Sequence, residues 1–172
     1  MKVNPKTAKL WNKHLQNEID AAFLYRTLVE LVDDEKEKDI YNRLAQIEDK
    51  HISIWLEQFK IYEVKQPELI PSAKAKYLSL FSKKFGPTLL TKLQLREEAN
   101  EVKSYLGLYR LSSSVSTRKI ALTLAKDSAD HAGILMENRG IKGEPWHSSD
   151  TGGFLRNVVF PACRAPTTAI IL

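Results

Sequence analysis

Six ionisable side chains fall on positions where a helical reading of this sequence puts its inward-facing residues: Glu18, Glu48, His51, Glu98, Glu101 and His131. Glu48 and His51 are three apart, as are Glu98 and Glu101, and residues at that spacing share one helix face. Carboxylate oxygens bridge metal ions, and imidazole supplies the terminal nitrogen that suits iron and related metals. Taken singly these residues are ordinary: a helical glutamate is usually a solvated charge, and a seam histidine is usually a satisfied core residue. Taken together they are not. Buried carboxylates without partners are costly, and several at one level would repel one another and take up protons. A pair of divalent cations removes that penalty, which favours metal binding over a purely structural network.

An internal repeat at an offset of 80 residues carries the argument further: Leu15 maps to Leu95, Glu18 to Glu98, Tyr25 to Tyr105, Leu28 to Leu108, Ile40 to Ile120, Leu44 to Leu124 and His51 to His131. Each half therefore donates one carboxylate and one histidine, and the chain has pseudo-two-fold symmetry. A di-iron carboxylate site takes one Glu from each of two helices and a Glu-x-x-His pair from each of the other two. The first half supplies Glu18 and Glu48-Asp49-Lys50-His51, and the second supplies Glu98 and Ser128-Ala129-Asp130-His131. Ser128 stands where the repeat requires glutamate. Glu101, and Asp127 four residues before His131, are the carboxylates that could restore the count. Tyr25 and Tyr105 lie two turns from Glu18 and Glu98. They read as core aromatics bonded to carboxylates, or as electron donors and hydrogen-bonding supports beside the metals.

The elements that must position these residues are helices. Asn4-Pro5 is a start signal, and a helix follows to about residue 32 with a seam of Trp11, Leu15, Ala22, Tyr25, Val29 and Val32 around Glu18. Trp11 and Trp55 read as core, and His14 as a surface residue outside the seam. Asp34 and Glu37 form a capping pair for a second helix, about 35–62, with a seam of Tyr41, Leu44, Trp55 and Tyr62. Residues 63–70 are a linker, a short helix covers about 72–85, and Gly86-Pro87 ends it. A third long helix covers about 88–111, Ser112-Ser113-Ser114 breaks the pattern, and a fourth covers about 116–138. The fold class is all-α: a ferritin-like four-helix bundle over 1–140, with a short extra helix in the crossover and an irregular tail over 141–172.

Composition narrows the alternatives. The 172 residues contain 43% hydrophobic and 27% charged residues, as in an ordinary globular chain. The single cysteine, Cys163, excludes a disulfide framework or a four-cysteine metal site within the chain. The net charge of +5 comes from scattered residues, so a solvated mixed surface is expected and no nucleic-acid partner. Without a signal-like or membrane-spanning run, a cytoplasmic chain is expected.

The segments NEIDAAFLYRTLVE and LAQIEDKHISIWLEQF resemble the rubrerythrin branch of the ferritin-like superfamily, and REEANEVKSY resembles that branch's third-helix Glu-x-x-Glu segment. The closer resemblance is to the rubrerythrin-like domain fused to membrane proteins of the vacuolar-iron-transporter type. GGFLRNVVF at 152–160 is similar to the entry of the transporter's first membrane helix, but PACRAPTTAIIL after it does not continue that pattern, as in a truncated or frame-altered form. The resemblance implies an iron-binding domain, often dimeric, at the cytoplasmic face of a membrane and linked to an iron exporter. It implies Glu18, Glu48, His51, Glu98, Glu101 and His131 as ligands. The activity expected is ferrous oxidation by oxygen or peroxide at a di-iron centre, with manganese or zinc as substitute metals. Two other functions compete: an iron sensor without turnover, which Ser128 favours, and a metal-free helical interaction module.

Overall fold

A computed structural model describes residues 4–138, so the expected tail over 141–172, including Cys163 and GGFLRNVVF, lies outside the described residues. Among the described residues the chain is helical, with no strand. The helices are α1 (Pro5–Leu31), α2 (Glu35–Ile61), α3 (Ala73–Phe85), α4 (Pro87–Leu111) and α5 (Val115–Asn138). None of them is long and apolar enough to cross a membrane.

The helix ends lie where the capping chemistry requires. The Asn4 side chain accepts from the Lys6 backbone N–H at 2.9 Å, with Pro5 in the first turn. Asp34 accepts from the backbone N–H groups of Lys36 and Glu37 at 2.8 and 2.9 Å. Glu35 and Glu37 add negative charge to the first turn of α2, where the helix dipole favours it. Ser72 caps α3 through Ala75 N–H. Gly86 ends α3 at φ 89°, a conformation that strains any residue with a Cβ. Pro87 then opens α4 at once, because a proline at the first helical position loses no hydrogen bond.

The chain divides into two compact units, residues 1–94 and a second beginning at Leu95. In the first, α1 and α2 form an antiparallel hairpin joined by three residues. Trp11, Leu15, Ala22, Tyr25 and Leu28 from α1, and Tyr41, Leu44, Trp55 and Phe59 from α2, are buried. Ring pairs mark the register: Tyr25 meets Tyr41 at 6.5 Å and Trp11 meets Trp55 at 6.2 Å. Two seam assignments change. Leu28 is fully buried and Val29 only half-buried, because α1 packs against α3 as well as α2 and its buried face widens to include Leu24 and Thr27. Tyr62 caps α2 and is half-buried.

Polar contacts tie α3 to α1. The Asp20 carboxylate accepts from the Ser72 backbone N–H at 2.8 Å, from the Ser72 hydroxyl at 2.5 Å and from the Gln16 amide at 2.9 Å. Further along, the hydroxyls of Thr27 and Ser79 share a buried hydrogen bond of 2.9 Å.

In the second unit, Val102, Tyr105 and Leu106 of α4 and Ala121, Leu124, Ala125, Ala132 and Leu135 of α5 are buried. Arg118 donates to the Tyr109 hydroxyl at 3.1 Å near the connection, and His131 lies 3.4 Å from Glu98 farther from it. Partners thus move back along α4 as they move forward along α5, the signature of an antiparallel pair.

Asp20 holds the start of α3 through charge-assisted hydrogen bonds. Replacing it, Asp20→Ala, is expected to lower stability by about 1–3 kcal/mol and to speed hydrogen exchange at the α3 amides. Urea denaturation with exchange mass spectrometry tests this, and unchanged α3 protection would exclude the anchoring role.

Candidate metal centre

Glu18 sits midway along α1, and Glu48 and His51 sit on the facing side of α2. All three are at most 1% exposed. The antiparallel register and the three-residue spacing on α2 aim the three side chains at one point. His51 Nδ1 lies 3.2 Å from Glu18 Oε2 and 3.1 Å from Glu48 Oε2. One ring nitrogen is thus shared by two carboxylates, and the three ligand atoms all lie within 4.8 Å of one another.

Two buried carboxylates at this separation cannot both ionise easily. Burial raises the Glu18 pKa from 4.5 to about 8, and the charge and hydrogen bond of Glu48 add to the rise while His51 opposes it. A cation among the three donors would displace that proton, because metal ligands bind deprotonated. Two carboxylate oxygens and one imidazole nitrogen form a donor set suited to a transition-metal ion. These buried groups could hold a metal ion.

The second unit repeats half of this arrangement. Glu98 and His131 are 2% and 1% exposed, and Glu98 Oε1 lies 3.4 Å from His131 Nδ1. Both histidines therefore present Nδ1 to the glutamate 33 residues earlier, and the sequence repeat becomes a repeat of geometry.

The remaining predicted residues divide into two groups. Glu101 is buried at 5% exposure, and Tyr25 and Tyr105 are fully buried, Tyr25 stacking on Tyr41. Asp127 is half-buried, whereas Ser128 beside it is buried with no hydrogen-bond partner for its Oγ among the described residues. The inward position on α5 thus belongs to Ser128, the serine the repeat places opposite Glu48.

His14 is a correction. It was expected on the surface, yet it is 1% exposed and stacks on Trp55 at 5.2 Å with the planes 3° apart. The signal was present in the sequence: Trp11, His14 and Glu18 are spaced three and four apart, so His14 shares the seam with Leu15. Burial, with Lys13 nearby, lowers its pKa from 6.5 to about 4, so it is neutral at physiological pH. His14 and Trp55 thus lie one turn from Glu18 and His51 along their respective helices.

Compared with family models, curated proteins and solved structures, the chain matches none of them.

Two titrations of opposite sign follow. His14 binds its proton less tightly in the folded chain, so it lowers stability as pH falls from 6.5 toward 4. Glu18 binds its proton more tightly in the folded chain, so its contribution is present below its unfolded pKa of 4.5 and lost as pH rises through about 8. As pH rises above 6.5 toward 8, unfolded-state His14 loses its proton and its opposing contribution fades, so metal-free protein is expected to lose thermal stability with rising pH most clearly at the upper end of that range. Glu18→Gln should flatten that slope. A slope identical in the variant would show that Glu18 is not the group responsible.

Proposed function

We propose that this chain handles iron, binding ferrous ions at carboxylate–histidine sites and promoting their oxidation by oxygen or peroxide. The observation that carries this reading is the convergence of Glu18, Glu48 and His51 on one buried point. Glu98 and His131 support it by reproducing the carboxylate–imidazole pair at the positions the repeat dictates. In this reading α1, α2, α4 and α5 form a ferritin-like bundle of the rubrerythrin kind, with α3 in the crossover. One ferrous ion would be held by Glu18, Glu48 and His51, and a second by Glu98, Glu101 and His131. Ferrous ions held there would supply the electrons that reduce the oxidant. The protein keeps ligand carboxylates deprotonated once metal is bound, and its apolar seams exclude bulk water. Tyr25 and Tyr105 steady the carboxylates from two turns away.

Ser128 supports a second reading, in which the protein senses iron without turning it over. Its hydroxyl stands where the repeat calls for a carboxylate, so an ion in the second half would have one fewer anionic ligand and would be bound more weakly than in the first.

Anaerobic titration with ferrous ion, followed by admission of oxygen and colorimetric assay of remaining ferrous iron, tests both readings. Glu48→Ala and His51→Ala are each expected to weaken ferrous binding by about tenfold or more, since removing metal ligands or their partners has effects of at least that order. Parental binding and oxidation in both variants would exclude the assigned ligands. Repeated turnover under excess iron supports the oxidase reading, whereas saturation after one metal load supports the sensor. Ser128→Glu is expected to raise metal stoichiometry or tighten the weaker site.

A further inference from the structure

Helix α3 reverses the usual arrangement of a surface helix. Its buried residues are small and mostly polar, Ala75, Ser79 and Ser82, and they pack toward α1. The outward side carries the large apolar groups: Tyr77, Leu80 and Phe85 are 67%, 69% and 61% exposed. Tyr77, Phe81 and Phe85 recur every four residues, and their rings form a continuous ridge with centroids 6.5 and 4.2 Å apart. The flanking chain extends the patch, with Leu69 and Ile70 before α3 and Leu89 after it all exposed. A surface helix ordinarily turns its polar face outward, and a contiguous apolar patch of this kind marks an interaction site.

The charges identify the occupant. Every ionisable side chain on α3 other than Tyr77 is a lysine: Lys74, Lys76, Lys83 and Lys84. Lys84 Nζ lies 5.5 Å from the centre of the Phe85 ring, and Lys83 pairs with Glu30 at 2.8 Å. Within α3 itself, aromatic and aliphatic side chains alternate with lysines and no acid, the composition of helices that lie in a membrane interface, while Glu68 before the helix and Glu30 beside Lys83 are its acidic neighbours. Anionic headgroups attract such lysines, while the lysine stems lie along the apolar surface and keep their ammonium groups at the headgroups. A second copy of the chain fits this face poorly, because pairing α3 with itself would bring like-charged lysines such as Lys76 and Lys84 together with no acid on the helix to offset them.

We propose that α3, with Leu69, Ile70 and Leu89, docks this chain on an anionic lipid surface. The helix lies parallel to the membrane plane with the Tyr77–Phe81–Phe85 ridge among the headgroups. The interaction is independent of metal and uses none of the metal-site residues.

Flotation of the full 172-residue chain with vesicles of phosphatidylcholine plus phosphatidylserine, and with phosphatidylcholine alone, tests the proposal. Binding is expected to the anionic vesicles, to be weaker on the neutral ones and to fall as salt is raised. Leu80→Ser with Phe85→Ser should lower partitioning about tenfold or more. Lys76→Glu with Lys84→Glu should abolish the preference for anionic vesicles. All four side chains are exposed, so circular dichroism and melting temperature should match the parent in both variants. Absence of vesicle binding by the parent chain would overturn the proposal, as would binding that neither variant reduces. So would a dimer in sedimentation equilibrium that the Leu80→Ser, Phe85→Ser variant disperses, since the face would then join copies of the chain.

Discussion

The constraint on which the metal reading depends is electrostatic: two carboxylates and one imidazole are withdrawn from water and face one another within hydrogen-bonding distance. Glu18 and Glu48 share the same His51 nitrogen. In a low-dielectric interior such a group either keeps a proton or acquires a cation. The raised Glu18 pKa is the protonated solution, and a bound metal is the other. Apolar residues of similar size would pack at these positions without that penalty. Placing acids here makes sense when a cation completes the site.

The rest of the first unit serves that placement. The tight connection between α1 and α2 fixes an antiparallel register, and Asp34 fixes where α2 begins. The aromatic layer of Trp11, His14, Trp55 and Phe59 closes one side of the site with rings in contact. His14 is part of that layer as a neutral ring stacked on indole. The second unit contains the same carboxylate–imidazole pair, with a buried serine, Ser128, where the first has Glu48, so the two halves share a pattern and differ at that position.

Helix α3 follows a different logic. It is anchored to α1 by hydroxyl and carboxylate contacts involving Asp20, Ser72, Thr27 and Ser79. These polar attachments release its large apolar side chains from core duty, and those side chains face outward. The overall charge of +5 concealed this, because a whole-chain total does not reveal four lysines on one helix without an acid among them.

The sequence by itself determined the five helices to within a residue or two, because Asn4-Pro5, Asp34, Gly86-Pro87 and the serine run are local signals whose physics acts within one turn. It also identified the Glu18–His51 and Glu98–His131 pairs, because a repeat and an i,i+3 spacing survive as linear pattern. Tertiary structure decided what depends on how many neighbours a face has. Leu28 displaced Val29 because α1 serves α3 as well as α2, and His14 was buried because the seam at that level is wide enough for two adjacent residues. It also decided that Ser128, rather than Asp127, occupies the inward position on α5. Finally, it turned the apolar side of α3 outward: periodicity shows that a helix has two faces, and only packing chooses which of them is covered.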